Sequence, residues 1–238
     1  MSTTPLSDET RALLSKISTA TITSQLMGRG LRNTFMQGVR RLSTGGPSMV
    51  GEAFTLRYIP SREDIDVSAV FENREHPQRK GVETIPPGHV MVIDCRKDNR
   101  AAGAGSILVT RMMMRGAAGV VTDGGLRDSP TIADLDFPVY CSGPAAPSNI
   151  TRHHAVDLNV PIGCGDVPVY PGDIIVGDRE GVVVIPRHLA DEVAIDGYEQ
   201  SLMEDFVTER VLAGQTTFGL YPADAETTAQ FREWRKGK

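Results

Sequence analysis

Lysine is scarce. The chain of 238 residues has five, Lys16, Lys80, Lys97, Lys236 and Lys238, against twenty arginines. Lys16 ends a short amphipathic helix and the other four stand in charged segments, so none sits in the apolar setting that activates an amine for covalent catalysis. Aromatics make up only 5% of the residues and the net charge is −5. A nucleic-acid binder would need a basic stripe and stacking platforms, and both are wanting. Cysteine occurs three times, as Cys95, Cys141 and Cys164, odd in number and in no CxxC pair. Free thiols of a reducing compartment are expected, rather than disulfides or a zinc site. No apolar run approaches the roughly 20 residues of a membrane span. The segment MSTTPLSDETRALLSK lacks the basic start and apolar stretch of a secretory leader. The expectation is a soluble cytoplasmic protein with no membrane or nucleic-acid partner.

Repeats, low-complexity tracts and composition breaks are also missing, which predicts a single domain over 1–238. A chain of this length buries roughly three quarters of its unfolded surface without a disulfide or metal. Ser7 is placed to cap a helix over 8–17, with Leu13, Leu14 and Ile17 on one face. A second helix is predicted over 21–27, a connection over 38–48 and a strand over 50–59. The charged, Pro-punctuated stretch 61–87 holds a predicted helical piece at 66–72, and HVMVIDC (89–95) reads as a buried strand. Then follow a helix over 106–115 stopped by Gly116, a strand over 118–122, a short helix opened by Pro130, and a strand over 137–141. Strand–helix–strand alternation of this kind predicts parallel α/β units. Beyond it, 156–186 reads as short strands joined by Gly-Asp turns, 188–213 as a long helix stopped by Gly214, and 223–234 as a last helix.

The densest constellation is GAGSILVTRMMMRGAAGVVTDGGLRD, Gly103 to Asp128. The unpaired N–H groups at the helix start near Ser106 form an anion site that needs no side chain, and Gly103 and Gly105 leave room for the anion. The turn after the strand at 118–122 carries Arg127 and Asp128. Ligands of parallel α/β units gather at the carboxyl ends of strands, so the two turns are expected to share a crevice. There Arg127 could clamp a carboxylate or keto oxygen, and Asp128 is a hard ligand suited to Mg²⁺ or Mn²⁺. A lone GxG is usually only a tight turn and an Arg-Asp pair usually only solvated; the combination raises the signal. GAGSIL also lacks the third glycine of a dinucleotide fingerprint. Adjacent His153 and His154 would point to opposite faces of a strand. His188 and Glu192 read as a surface pair on the long helix, and Asp64 and Asp66 as acids serving a helix N-terminus.

The stretch GAAGVVTDGGLRD (116–128), together with YPGDIIVGDREGVVVIP (170–186), resembles the RraA-like family of class II pyruvate aldolases. Its best-known enzymes are the 4-hydroxy-4-methyl-2-oxoglutarate and 4-carboxy-4-hydroxy-2-oxoadipate aldolases. The resemblance covers a core of about 19–214 and leaves a helical tail at 215–238. It implies an α/β/β sandwich of the swivelling type, assembled as trimers or hexamers with sites between subunits. It also implies a 2-oxo acid substrate, a divalent cation (Mg²⁺ or Mn²⁺), and roles for particular residues. Gly105, Ser106, Ile107 and Leu108 would hold the pyruvyl carboxylate through backbone amides. Arg127 would act on the keto oxygen, Asp128 would bind the metal, and Glu204 would reach a neighbouring subunit's site.

Two positions depart from the family pattern. Ser106 stands where the aldolases usually carry an acid beside the metal, and Thr131 where they usually carry Glu or Asp. The expected reaction is retro-aldol cleavage of a 4-hydroxy-2-oxo acid, or of a sugar-derived 2-keto-3-deoxy acid, with pyruvate released and oxaloacetate decarboxylation alongside. A non-catalytic regulator of ribonuclease activity, acting by protein binding, is the alternative that the missing acids favour.

Overall fold

A computed structural model describes residues 5–237. Helix α1 (Asp8–Leu14) begins where Ser7 Oγ accepts a hydrogen bond from the Thr10 N–H at 3.0 Å, and α2 (Thr19–Gly28) is capped in the same way by Ser18. Each cap satisfies one of the orphan donors of a helix start. α1 stops three residues before the predicted end, with Ile17 still buried just beyond it. A two-residue strand, β1 (Arg40–Arg41), lies in the stretch read as a plain connection, and β2 (Met49–Pro60) follows. The predicted helical piece at 66–72 is a 3₁₀ turn, Ser68–Glu72. The same charged stretch also holds α3 (Pro77–Thr84), which sequence pattern did not reveal because its residues, PQRKGVET, are almost all polar.

The central units are β3 (His89–Asp94), β4 (Ala102–Ala104), α4 (Ser106–Met114), β5 (Gly119–Thr122), β6 (Gly125–Leu126), α5 (Ser129–Ala133), β7 (Val139–Cys141) and β8 (Gly143–Pro144). After them come β9 (His153–Leu158), β10 (Ile162–Cys164), β11 (Val167–Val169), β12 (Ile174–Gly177) and β13 (Val182–Ile185). The predicted run of short strands is therefore present. Helix α6 (Ala190–Leu212) starts two residues later than expected, after a 3₁₀ turn, and α7 (Ala225–Arg235) packs Phe231 and Trp234 against Phe206 of α6.

The main sheet runs β1-β7-β5-β3-β2-β12-β13, with β9 also paired to β2. The pairs β2·β3, β3·β5 and β5·β7 are parallel, as strand–helix–strand alternation predicts, and the rest are antiparallel. A second sheet, β4-β6-β8, is parallel throughout. The hairpin β10–β11 turns at Gly165 and Asp166, both at positive φ (56° and 65°), which suits the twist of a two-residue turn.

Both faces of the main sheet are covered. On one, Met91, Ile93 and Val120 pack against Val82 of α3, Val109 and Met112 of α4 and Ile132 of α5. On the other, Val90, Val92 and Val121 meet Ile162, Cys164, Val167 and Val169 of the β10–β11 layer. A third cluster joins α1, α2 and α6 to Ile174, Val176, Val183 and Ile185. Central strands in such a three-layer stack are apolar along their whole length, so β3 and β5 are buried at nearly every position. Each fully buried Val or Ile contributes about 1.5–3 kcal/mol. No helix of the described residues is long and apolar enough to cross a membrane. All three cysteines are free and buried.

Candidate functional site

The site grows out of the small sheet. β4 and β6 are parallel neighbours, and the Arg127 N–H donates to the Ala104 carbonyl at 3.1 Å. That single backbone contact sets the glycine turn at Gly105 beside Arg127 and Asp128. Gly105 caps α4 without a side-chain bond. A Cβ there would meet Arg127 Cγ at 2.8 Å and Asp128 Oδ2 at 3.0 Å, so any larger residue would push the Arg127 and Asp128 side chains aside. Asp128 sits in the left-handed region (φ 56°, ψ 34°), a conformation Asp tolerates better than most residues. Its Oδ2 accepts from the Ser106 N–H at 3.3 Å and the Ser106 hydroxyl at 3.2 Å, and its Oδ1 lies 3.7 Å from Arg127 Nε.

These residues border a cavity of about 280 Å³. Gly105, Ile107, Leu108, Arg127 and Asp128 line it; Ser106 is not among the lining residues and is joined to the site only by its hydrogen bonds to Asp128. Both turns therefore open on one crevice. Thr131 is exposed on α5. Glu204 stands on α6, where its carboxylate accepts from Thr21 Oγ1 at 3.0 Å and Gln200 Nε2 at 2.7 Å, and it does not line its own chain's cavity.

The other wall comes from the segment read as charged and irregular. Phe71, Gln78 and Arg79 come from it and Asn149 joins them, with Ala102, Ala104 and Ser148 completing the lining. Gln78 Nε2 and the Tyr58 hydroxyl both donate to the Gly103 carbonyl, at 2.8 and 2.9 Å. Burial pushes Tyr58 well above the usual phenol range, so it serves as a donor and not as an acid or base. Gln78 Oε1, Arg79 Nε and Asn149 Nδ2 are buried without any hydrogen-bond partner. Such orphans are costly and uncommon in native folds; Arg57 Nε, His76 Nδ1 and Ser142 Oγ are others, outside this lining. Pro77 at the first helical turn was the one sequence signal that could have placed α3, and with it Gln78 and Arg79.

Among the described residues no three His, Cys, Asp or Glu side chains converge to cage a metal. Asp128, its side chain 43% exposed, is the one carboxylate lining the cavity. An ion such as Mg²⁺, which keeps several waters and takes one or two carboxylates plus ligand oxygens, fits that donor set. The four lysines among the described residues lie elsewhere. Lys80 pairs with Glu75, Lys236 with Glu233 and Lys97 with Asp166, while Lys16 lies over the Tyr198 ring.

Two sequence readings need correction. Asp66 does not serve a helix terminus; buried, it accepts from the Arg62 N–H and meets His154 Nδ1 at 2.6 Å, because β9 carries His154 toward the 62–66 turn. His188 and Glu192 do not pair: the ion pairs formed there are Arg187–Asp191 and Arg29–Glu192. His153 and His154 do diverge, His153 buried against the Ala101 carbonyl. A larger cavity of about 430 Å³ between the β11 region and the end of β13 is lined mainly by apolar groups. None of the orphaned buried polar atoms belongs to its lining.

The mixed α/β domain sets the start of α4 beside an exposed Arg-Asp pair, where parallel α/β folds place their ligands at the strand ends. A family model described as RraA-like, Aldolase/RraA, matches residues 3–184, and the chain belongs to that family. A putative 4-hydroxy-4-methyl-2-oxoglutarate aldolase of Halalkalibacterium halodurans is 36% identical over 134 residues, which is 56% of this chain and 63% of that protein. The chain thus spans less than two thirds of that relative's length. The crystal structure of Streptomyces coelicolor RraAS2, described as an unusual member of the RNase ES inhibitor RraA protein family, is 28% identical. It superposes with a TM-score of 0.75 over 85% of this chain and 97% of that one. An uncharacterized Pseudomonas syringae protein shares the fold, with a TM-score of 0.78 at 24% identity over 92% of this chain and 99% of the other.

Proposed function

We propose that this protein is a divalent-metal-dependent lyase that cleaves a 4-hydroxy-2-oxo acid by retro-aldol reaction and releases pyruvate, with oxaloacetate decarboxylation as a related activity. The observation that carries this reading is the meeting of the Gly105 turn, Arg127 and Asp128 in one cavity. The first N–H groups of α4, at Ser106, Ile107 and Leu108, bind the substrate's 1-carboxylate at the positive end of the helix dipole. Arg127 donates to the 2-oxo oxygen, where negative charge grows as the C3–C4 bond breaks. Asp128 holds Mg²⁺ or Mn²⁺, which when bound supplies Lewis-acid polarisation of the 2-oxo acid. On cleavage the 4-hydroxyl proton passes to solvent, its O–H electron pair forms the new carbonyl, the C3–C4 pair becomes the pyruvate enolate, and a solvent proton then adds at C3. Among the described residues no lysine lines the cavity, which favours this route over a Schiff base. Assembly as trimers or hexamers, with Glu204 of one chain serving the cavity of the next, belongs to the same proposal.

The test is pyruvate formation from 4-hydroxy-2-oxo acids with Mg²⁺ or Mn²⁺. EDTA should abolish it, and Arg127→Ala should lower kcat/KM by about 100-fold or more. Activity indifferent to EDTA, or retained in Arg127→Ala, overturns the mechanism. A non-catalytic regulator is the second reading, favoured by Ser106 and Thr131 in place of acids and by the Streptomyces neighbour. Calorimetry with oxalate and Mg²⁺ separates the two, since binding is required of the lyase and not of the regulator.

A further inference from the structure

We propose that Tyr58 and Gln78 are positioning residues: by donating together to the Gly103 carbonyl, they hold the turn that aims the first N–H groups of α4 at the cavity. This role rests on the lyase reading for the substrate carboxylate that those groups bind.

The ladder between β4 and β6 joins the turn to Arg127, through the Ala104 carbonyl and the Arg127 N–H. The carbonyls of 101 and 103 are met instead by side chains of other elements. Ala101 O lies 3.2 Å from His153 Nε2, and Gly103 O accepts from the Tyr58 hydroxyl at 2.9 Å and from Gln78 Nε2 at 2.8 Å. Tyr58 stands on β2, 1% exposed, with its ring stacked on that of His153 at a centroid distance of 5.3 Å. Gln78 stands on α3 and is 2% exposed. A central strand and a separate helix therefore grip one main-chain oxygen. Two residues further on, Gly105 caps α4.

Satisfying that oxygen does not account for the pair. One donor already pairs a buried carbonyl, and Phe and Met would fill the two places without polar atoms. Gln78 even carries a cost, because setting Nε2 on Gly103 leaves Oε1 buried with no partner. What a second donor adds is orientation: with both lone pairs engaged, the plane of the Gly103–Ala104 peptide is fixed. Gly103 needs the restraint, since glycine has the widest backbone freedom. A Cβ in its place would meet the buried Cys95 Sγ at 2.8 Å. A local cost with no stabilising return is the pattern of a residue kept for function.

Oxalate binding in Mg²⁺, read by calorimetry, tests this without turnover. Tyr58→Phe and Gln78→Met each leave one donor and should weaken oxalate by about threefold. The double variant loses both and should weaken it by about thirtyfold, more than the product of the singles. Gln78→Glu supplies a readout that packing alone would not move. Ionised, the new carboxylate repels the Gly103 carbonyl; protonated, it donates as the amide does, and burial brings its titration toward neutral pH. Its affinity relative to wild type at each pH should climb toward one as pH falls from about 8.5 to about 5.5. Where pyruvate release is measured, KM should rise with kcat within about twofold of wild type, because the carboxylate is held alike in ground and transition states. If the double variant melts earlier than wild type, Tyr58→Phe and the Gln78→Glu profile decide. Single variants equal to wild type in affinity, a Gln78→Glu ratio flat with pH, or no oxalate binding by wild type overturns the role. The expected affinity pattern with no pyruvate released from any 4-hydroxy-2-oxo acid removes the lyase reading and leaves both residues in their role.

Discussion

Asp123 follows β5 and Asp128 follows β6, so two aspartates close successive turns of one Gly-rich segment. Asp123 is 4% exposed, and its carboxylate accepts three backbone N–H bonds, from Cys95 at 2.8 Å, Lys97 at 3.2 Å and Gly165 at 3.3 Å. Asp128 is half-exposed and accepts only from Ser106. The first carboxylate spends its lone pairs tying together three loops. The second keeps most of its acceptor capacity free. Residue type and sequence neighbourhood are nearly the same, and the difference lies in which backbone donors the fold brings within reach.

Substitution should separate the two turns most sharply. Asp123→Ala leaves three N–H groups without an acceptor in a buried turn and should cost on the order of 3–5 kcal/mol in urea unfolding. Asp128→Asn keeps a side chain suited to the left-handed region, so stability should stay within about 0.5 kcal/mol while pyruvate release is lost. Equal stability losses in the two variants would collapse the distinction.

The neighbouring glycines divide in the same way, with a smaller effect. A Cβ at Gly124 would meet Cys95 Cβ at 2.4 Å and Sγ at 2.8 Å, inside the core. Gly124→Ala should cost about 1–3 kcal/mol. At Gly105 the obstructing atoms belong to the half-exposed side chains of Arg127 and Asp128, which can move. Gly105→Ala should change stability by under about 1 kcal/mol and lower kcat/KM by about tenfold to a hundredfold, through displacement of the pair.

The smallest effect is one of pH. Burial, chiefly, and then the Asp123 charge push the Cys164 thiol well up, and burial with the Asp123 charge does the same to Cys95 against a hydrogen bond from Thr122. The folded protein keeps both protons while the unfolded chain releases them near the ordinary value of 9.0. The stabilising contribution is therefore whole well below pH 9 and is lost as pH rises through it, about 1 kcal/mol for the two thiols by pH 9. Unfolding midpoints between pH 7.5 and 10 should show this fall, shallower in Cys164→Ala; a flat profile contradicts it.

The parallel core was legible because β3 and β5 are continuous apolar runs between turn residues, and α4 because glycines mark both its ends. Gly105, Arg127 and Asp128 drew notice because glycine, a forked cation and a hard acid recur within one short segment. The α3 wall was not legible. Gln78 and Arg79 lie in PQRKGVET, whose polarity on the page looks the same whether the side chains meet water or a ligand. Asn149 joins them only through a long-range approach that no local pattern encodes. Asp66 was misread for a similar reason: its partner, His154, is distant in sequence.

The sheet β4-β6-β8 contains strands of two or three residues, yet its main-chain ladder fixes where the side chains at 106, 127 and 128 emerge. It works as a chassis with interchangeable fittings. An acid placed at 106 would arrive beside Asp128 without any rebuilding of the frame, and a serine there leaves the frame equally intact. Chemistry at this mouth can therefore drift one residue at a time, with folding screened from the experiment.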